Sequence, residues 1–445
     1  MAGCLGTAAL SLLIAHQTTY DPTAWLIWGR EILDGDLSTR VGPSWKPLPI
    51  LVTAPAALLG DPAQQHVWLL VARAGTACAV VLAHRLGYRL GGPIAGTIAA
   101  CSLLVSTGFT SREFRGNSEG LLVAAALGAV EAHLAGRRRA ALALLVAAAL
   151  MRPELSLFVA AYGLWLAHAA PAGRRHRCMI VVAVAGALIV AAWLVPEKIG
   201  SGQVFRAASR ALLPVPGSPA LAEHPFLATF TNAAPVLPWP LYAAGVALVA
   251  LAIPEARRTR KVSLALALAV IATALMAIAA AMAQAGFSGN TRYLTIPIAI
   301  SCVLGGAGCT RVASAIRARL SAGRATVAMA LAVAVAAPFV VHAVDRAHNE
   351  MRGALRESAL YAALPDVIAR AGGRAAVLRC GALSTGPFDT QAVARALGAH
   401  QTQVGLRPRL PGTIIARRGS SLAGERGYVT VARNRRWVVG SSCLR

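Results

Sequence analysis

Asp21 sits in "TTYDPTAWLIWGREILDGD" (18–36), directly after the chain's first apolar segment and just before Pro22. A carboxylate followed by proline is a standard helix start. One at the mouth of a membrane span is also costly to keep, so it reads as functional. Its natural chemistry is general-base catalysis: a carboxylate within reach of a hydroxyl takes the proton as the oxygen attacks an electrophile. Other stretches supply partners. "TSREFRGNSEGLL" (110–122) carries Arg112, Arg115 and Glu119, and "LMRPE" (150–154) carries Arg152 and Glu154. "GNTRYLTIP" (289–297) adds Arg292 and Tyr293, and "GPSWKPLP" (42–49) adds Trp45 and Lys46. Guanidinium forks match phosphate oxygens. Carboxylates and arginines together suit a reaction between a hydroxyl and a lipid-linked phosphate ester. Plainer roles stand beside these: Glu119 complements a helix dipole, Arg292 and Tyr293 snorkel, and "DGD" (34–36) makes a turn rather than a metal pair.

These residues must be positioned by apolar elements. The 445 residues are 56% hydrophobic and only 14% charged, against about 25% charged in soluble domains. Apolar blocks fall at 4–16, 67–84, 93–109, 119–135, 140–151, 155–169, 178–196, 236–253, 262–283, 293–310 and 325–344. The pattern predicts a mainly α, polytopic transmembrane bundle of about 11 spans. The first block is short and lacks preceding basic residues, which reads as a displaced start or a truncated helix. A cleaved signal peptide fits less well without a basic n-region.

Charge orders the spans. With the N-terminus cytoplasmic and alternation assumed, the inner connections hold Arg85, Arg89, "GRRR" (136–139), "GRRHR" (173–177), "ARRTRK" (256–261) and Arg311, Arg317, Arg319 and Arg324. Glu131 and Glu255 are the only acids there. This is the positive-inside pattern of a plasma-membrane protein, so the excess of basic residues does not imply nucleic acid. Keeping the order requires residues 140–169 to form a hairpin broken at Pro153. That leaves Arg152 and Glu154 at membrane depth, where broken backbone is tolerated only inside protein or beside a cavity.

All the chemistry-bearing stretches then lie on the outer side. The first outer loop, 17–66, places Trp25, Trp28 and Ile32 on one face of a helix expected along the membrane interface. The chain divides into a membrane part, 1–344, and a soluble α/β tail, 345–445, outside the membrane. In the tail "LPDVIARAGGRAAVLRC" reads as helix, turn and strand, and "GYVTVARNRRWVVGSSC" as two strands around Asn434. The tail holds 16 basic residues against six acidic ones, a surface suited to anionic glycans or phosphate polymers. Its two cysteines, Cys380 and Cys443, are expected to pair in an oxidising compartment.

The arrangement resembles the GT-C superfamily of integral membrane glycosyltransferases, which includes polyprenyl-phosphate-sugar-dependent mannosyl- and arabinosyltransferases of actinobacteria. The resemblance covers about 1–345. It implies a catalytic carboxylate just after the first span, which Asp21 matches, and a second acid from the next outer loop, which Glu119 matches. "LMRPE" is similar to an Arg-Pro-Glu stretch in some family mannosyltransferases. No adjacent acidic pair sits at Asp21, so metal use (Mg or Mn) and the donor sugar stay open.

The expectation is therefore a transferase taking a sugar from a polyprenyl-phosphate donor to an outer glycan, lipid or protein. Asp21 and Glu119 would be catalytic. Arg112, Arg115, Arg152 and Arg292 would hold the donor phosphate. Tyr20, Trp25, Trp45, Lys46, Glu154 and Tyr293 would contact substrate, the aromatics stacking on sugar rings. Two other classes remain: a flippase of lipid-linked sugars, for which the paired repeats of transporters are missing, and a non-catalytic envelope scaffold.

Overall fold

The structure, a computed structural model, describes residues 2–14 and 17–443. Long apolar helices form its body. Among the described residues six helical stretches are long and apolar enough to cross a membrane: Asp61–Val105, Ala172–Ser201, Trp239–Thr259, Leu264–Gln284, Thr291–Arg319 and Ala322–Arg370. Several other expected spans are helices but shorter. Arg138–Ala149 and Ser156–His168 have 12 and 13 residues, about 20 Å of helix against a hydrocarbon core of about 30 Å. The count of about 11 crossings is thus not reached by length. The expected first span is the helix Ala2–Ser11, and residues 15–16 lie outside the described part.

Two of the expected spans are joined. Asp61–Val105 is broken at Gly91 and Gly92, the latter with φ 81°. The chain reverses there, because a methyl group at Gly87 would meet the Ala95 carbonyl at 2.9 Å and one at Gly96 the His84 carbonyl at 2.6 Å. Only glycine accepts such a backbone without strain. The helix Thr295–Arg319 is the most buried of the bundle, and its "GGAG" run (305–308) explains why. A side chain at Gly306 would run into the Ala95 carbonyl and one at Gly308 into the Ala244 carbonyl. Small residues let three helices approach closely, as membrane packing favours. By contrast, Ala172–Ser201 presents Val181, Val184, Leu188, Val190 and Ile199 outward, a surface for lipid.

The segment 150–155 breaks between two helices as Pro153 requires. The Leu48 amide bonds to the Leu150 carbonyl at 3.1 Å, and the Trp193 indole donates to the Ala149 carbonyl at 3.0 Å. These bonds tie the loop 17–66 and the helix Ala172–Ser201 to the break.

At the C-terminal end, the helix Ala322–Ala362 runs unbroken through residue 345, and its last turn, with Tyr361, joins the core of the small domain. "GRAAVLR" (373–379), expected to be the strand after the Gly-Gly turn, is a helix. Five strands follow: β1 (Ala382–Thr385), β2 (Val404–Gly405), β3 (Gly412–Arg417), β4 (Val429–Arg433) and β5 (Trp437–Ser441). Their order is β2-β1-β3-β5-β4. β1 is parallel to β2 and β3, and β5 is antiparallel to β3 and β4. Cys380 and Cys443 form a disulfide with Cα atoms 5.6 Å apart.

The domain does not hang on one tether. Ile27 of the helix Tyr20–Asp34 joins its core beside Val367, Leu397 and Trp437. Arg30 donates to the Ala399 carbonyl at 2.9 Å. His400 lies 2.8 Å from Glu31 and 3.0 Å from Asp36. Arg395 bonds to Gln65 and, at 2.7 Å, to the Asp61 carbonyl. The domain is therefore seated on the helix Tyr20–Asp34 and the start of the helix Asp61–Val105.

Candidate functional site

Asp21 is the second residue of the helix Tyr20–Asp34, whose N-cap is Thr19. Its carboxylate is thus not the cap. It reaches across to Arg292, with Oδ2 2.8 Å from Nη1. Arg292 stands in the 3-10 turn Thr291–Leu294, where the Asn290 side chain accepts from the Arg292 amide at 3.0 Å. The same guanidinium donates through Nε to Glu119 Oε1 at 2.8 Å and through Nη2 to Asn117 Oδ1 at 3.2 Å. One arginine from the segment before a central helix therefore bridges carboxylates from the first and second loops.

Glu119 opens the helix Glu119–Leu134. Its loop is fixed from both sides. The Trp68 indole donates to the Gly116 carbonyl at 2.7 Å, and Asn117 Nδ2 donates to the Arg112 carbonyl at 2.9 Å. Besides Arg292, Glu119 Oε1 has Arg152 Nη2 at 3.6 Å and Lys46 Nζ at 3.8 Å. Lys46 also donates to Ser118 Oγ at 3.2 Å and lies over the Trp25 ring at 5.2 Å. Burial pushes the Lys46 ammonium down to about 8, against the pull of Glu119. Arg152 donates to the Arg292 carbonyl at 2.8 Å and stacks over Tyr293, 4.3 Å from the ring centre.

Exposure separates the two carboxylates. The Glu119 side chain is 1% exposed and surrounded by three cations, whereas Asp21 is 18% exposed with Arg292 as its one ion-pair partner among the described residues. Beside them a small cavity of about 10 Å³ lies between helices, lined by Leu122, Arg152, Glu154, Met282, Tyr293 and Pro297.

Other expected residues go elsewhere. Arg115 bonds Glu357 of the helix Ala322–Ala362 at 2.6 Å, which takes it out of the cluster. Arg112 is nearer, but its Nη1 and Nη2 go to Thr291 Oγ1 at 3.2 Å and the Thr107 carbonyl at 3.1 Å. Burial lowers its pKa, and it braces the Arg292 turn. Trp25, Trp28 and Trp45 are buried, not laid along an interface. Trp25 meets Trp68 edge-on at 5.3 Å, and Trp28 meets Trp45 at 5.5 Å. The Trp45 indole donates to the Ala192 carbonyl at 3.0 Å. The helices Pro47–Ala57 and Asp61–Val105 cover them, with Ile50, Trp68 and Ala72 in the same cluster, so Trp25 and Trp45 brace the loop rather than stack on sugars. Tyr20 stays accessible, its ring 6.2 Å from Phe388 of the small domain. Asn117 and Ser118 were missed as site residues; the signal was there, two polar residues directly before a buried glutamate.

No set of three or more His, Cys, Asp or Glu side chains among the described residues is grouped to hold a metal ion. At the cluster itself each of the two carboxylates has one oxygen bonded to Arg292. Asp36 of "DGD" faces His400 instead, with Gly35 in the left-handed turn between the acids.

The fold of the chain is similar to that of solved membrane-enzyme structures. ArnT from Cupriavidus metallidurans in the apo state superposes with a TM-score of 0.59 at 16% identity, over 100% of this chain and 97% of that one. The same protein bound to undecaprenyl phosphate gives 0.57 at 15%, over 99% and 97%. The Archaeoglobus fulgidus oligosaccharyltransferase in the apo form gives 0.53 at 13%, over 94% of this chain and 69% of that one. No protein-family model and no curated sequence matches.

Proposed function

We propose that the protein is a membrane glycosyltransferase that moves a sugar from a polyprenyl-phosphate donor to an acceptor hydroxyl on the outer face of the plasma membrane. One observation carries this reading: Arg292 holds Asp21 and Glu119 together, with Arg152 and Lys46 against Glu119. Two carboxylates and three cations leave one positive charge over, which an incoming phosphate ester offsets. That a structural neighbour binds undecaprenyl phosphate supports the donor class.

In the proposed step the donor's prenyl chain stays in the lipid and its head enters beside Arg152 and Tyr293. Its phosphate meets Arg152, Arg292 and Lys46. Arg292 exchanges its contact with Asp21 for the phosphate, which frees the carboxylate. Asp21 takes the proton of the acceptor hydroxyl, the oxygen bonds to the anomeric carbon, and the bond from that carbon to the phosphate oxygen breaks. The electron pair leaves on the polyprenyl phosphate, whose charge the guanidinium donors stabilise. Glu119 is a positioning residue. The test is purified protein with synthetic polyprenyl-phosphate hexoses and pentoses. A new glycosidic bond and released polyprenyl phosphate are expected; movement of the donor across vesicles without bond formation sinks the reading.

A further inference from the structure

A cleft of about 870 Å³ opens between the first outer loop, the segment 206–213 and the small domain. Its volume falls in the ordinary range of ligand sites, about 300–1,000 Å³. Its lining is unusual in charge: Arg40, Arg206, Arg210, Arg407 and Arg409 contribute, and no aspartate or glutamate does. Arg206 is spent on the protein itself. It donates to the carbonyls of Pro43 and Gly42 at 2.6 and 2.9 Å and lies 3.6 Å from Glu197, bracing the loop wall. The others are not. Arg40, Arg407 and Arg409 are exposed and have no carboxylate within ion-pair distance among the described residues. Arg210 reaches only the Leu213 carbonyl, at 3.5 Å.

The cleft also has neutral polar groups. Gln391 and Gln401 stand in its wall, each with an amide oxygen that has no partner among the described residues. Tyr20, the residue before Asp21, lines the same cleft.

We infer that this cleft binds the acceptor, and that the acceptor is a saccharide bearing phosphate groups; this rests on the transferase reading above. Four guanidinium groups held around one opening repel one another, and an anion relieves that repulsion. Their planar forks favour phosphate oxygens over neutral hydroxyls. The amides and Tyr20 suit sugar hydroxyls and ring faces. Arg407 and Arg409 come from the small domain and Arg40 and Arg210 from the membrane part, so the site exists only while the domain is seated. The phosphate can be carried by a glycolipid headgroup or by a soluble polymer; the recognition chemistry is the same.

The experiment uses the full chain in nanodiscs, carrying Asp21→Asn to stop turnover. Binding of a disaccharide phosphate is compared with that of its unphosphorylated parent by calorimetry. The phosphorylated sugar is expected to bind about tenfold more tightly, a difference that shrinks as salt rises. The double variant Arg407→Ala/Arg409→Ala removes the preference, while Arg433→Ala/Arg435→Ala, on strand β4 and its turn, retains it. Equal binding of the two sugars, or a preference that survives loss of Arg407 and Arg409, overturns the inference. Vesicles bearing a phosphorylated glycolipid and a soluble phosphoglycan then compete for the site. Displacement by either supports the inference and names the source; displacement by neither contradicts it. Sugar transfer by the wild type without phosphate preference overturns this cleft alone, whereas phosphate-selective binding without transfer from any donor overturns the transferase reading alone.

Discussion

Arg292 donates to Asp21 at 2.8 Å through one terminal nitrogen. Because its Nε is also 2.8 Å from Glu119, the exposed carboxylate is tied to the buried one through a single guanidinium. Substitution by lysine keeps the charge and loses the fork. Arg292→Lys is expected to lower kcat by about 10²-fold or more, the usual cost of one donor to a developing anion. Steady-state transfer assays check this, and unchanged kcat would remove Arg292 from the phosphate clamp.

Lys46 gives a pH signature. With its pKa lowered by burial to about 8, its charge is present below that pH and lost above it. If the ammonium helps to hold the leaving phosphate, transfer falls as pH rises through about 8. Lys46→Arg retains charge and moves the fall to higher pH; Lys46→Met is slow throughout and lacks the step. A profile that is flat across this range in the wild type contradicts the role.

Arg115 was expected beside the donor phosphate and instead bonds Glu357. Arg115→Ala should therefore leave kcat/KM within about threefold and show its effect as a loss of thermal stability of about 1 kcal/mol. Arg152→Ala, in the cluster, should do the reverse. Rate measurements on both variants decide the assignment.

Much of this site was legible because charge next to apolar spans is rare and expensive. That cost marks Asp21, Glu119, Arg152 and Arg292, which the fold brings together. It does not sort neighbours: Arg112 and Arg115 lie one helical turn apart, and only the packing of the Ala322–Ala362 helix tells which one is taken by Glu357. Trp25 and Trp28 have the spacing of an amphipathic helix, and such spacing cannot show what covers the face. Here the cover comes from Ile50, Trp68 and Ala72 of neighbouring helices, while Ile27, between the two tryptophans, enters the core of the small domain. The helix at 373–379 has the Ala, Val and Leu of either element, and tertiary context decided it. Turns were easier to read: Asn434 accepts from the Trp437 amide at 2.8 Å between β4 and β5.

Glu113 is buried, and neither of its carboxyl oxygens has a hydrogen-bond partner of full geometry; the Gly120 amide lowers its pKa somewhat without reaching one. Burial first, and the Glu119 charge second, push it well above the ordinary carboxylate range. The folded state thus binds a proton that the unfolded chain releases, so stability falls as pH rises from the ordinary carboxylate value toward the raised one. Glu113→Gln should flatten that fall and leave the folded protein at least as stable at neutral pH. Thermal unfolding of both proteins in the same detergent from acidic to neutral pH reads it, and a parallel fall in the variant would assign the effect elsewhere.

The central claim is that Asp21 removes the acceptor proton. The direct measurement is single-turnover transfer from a synthetic polyprenyl-phosphate sugar by wild type and Asp21→Asn, with donor binding measured on the same preparations. The account predicts donor binding retained and the chemical step slowed by about 10²–10⁴-fold. Normal transfer by Asp21→Asn would contradict it.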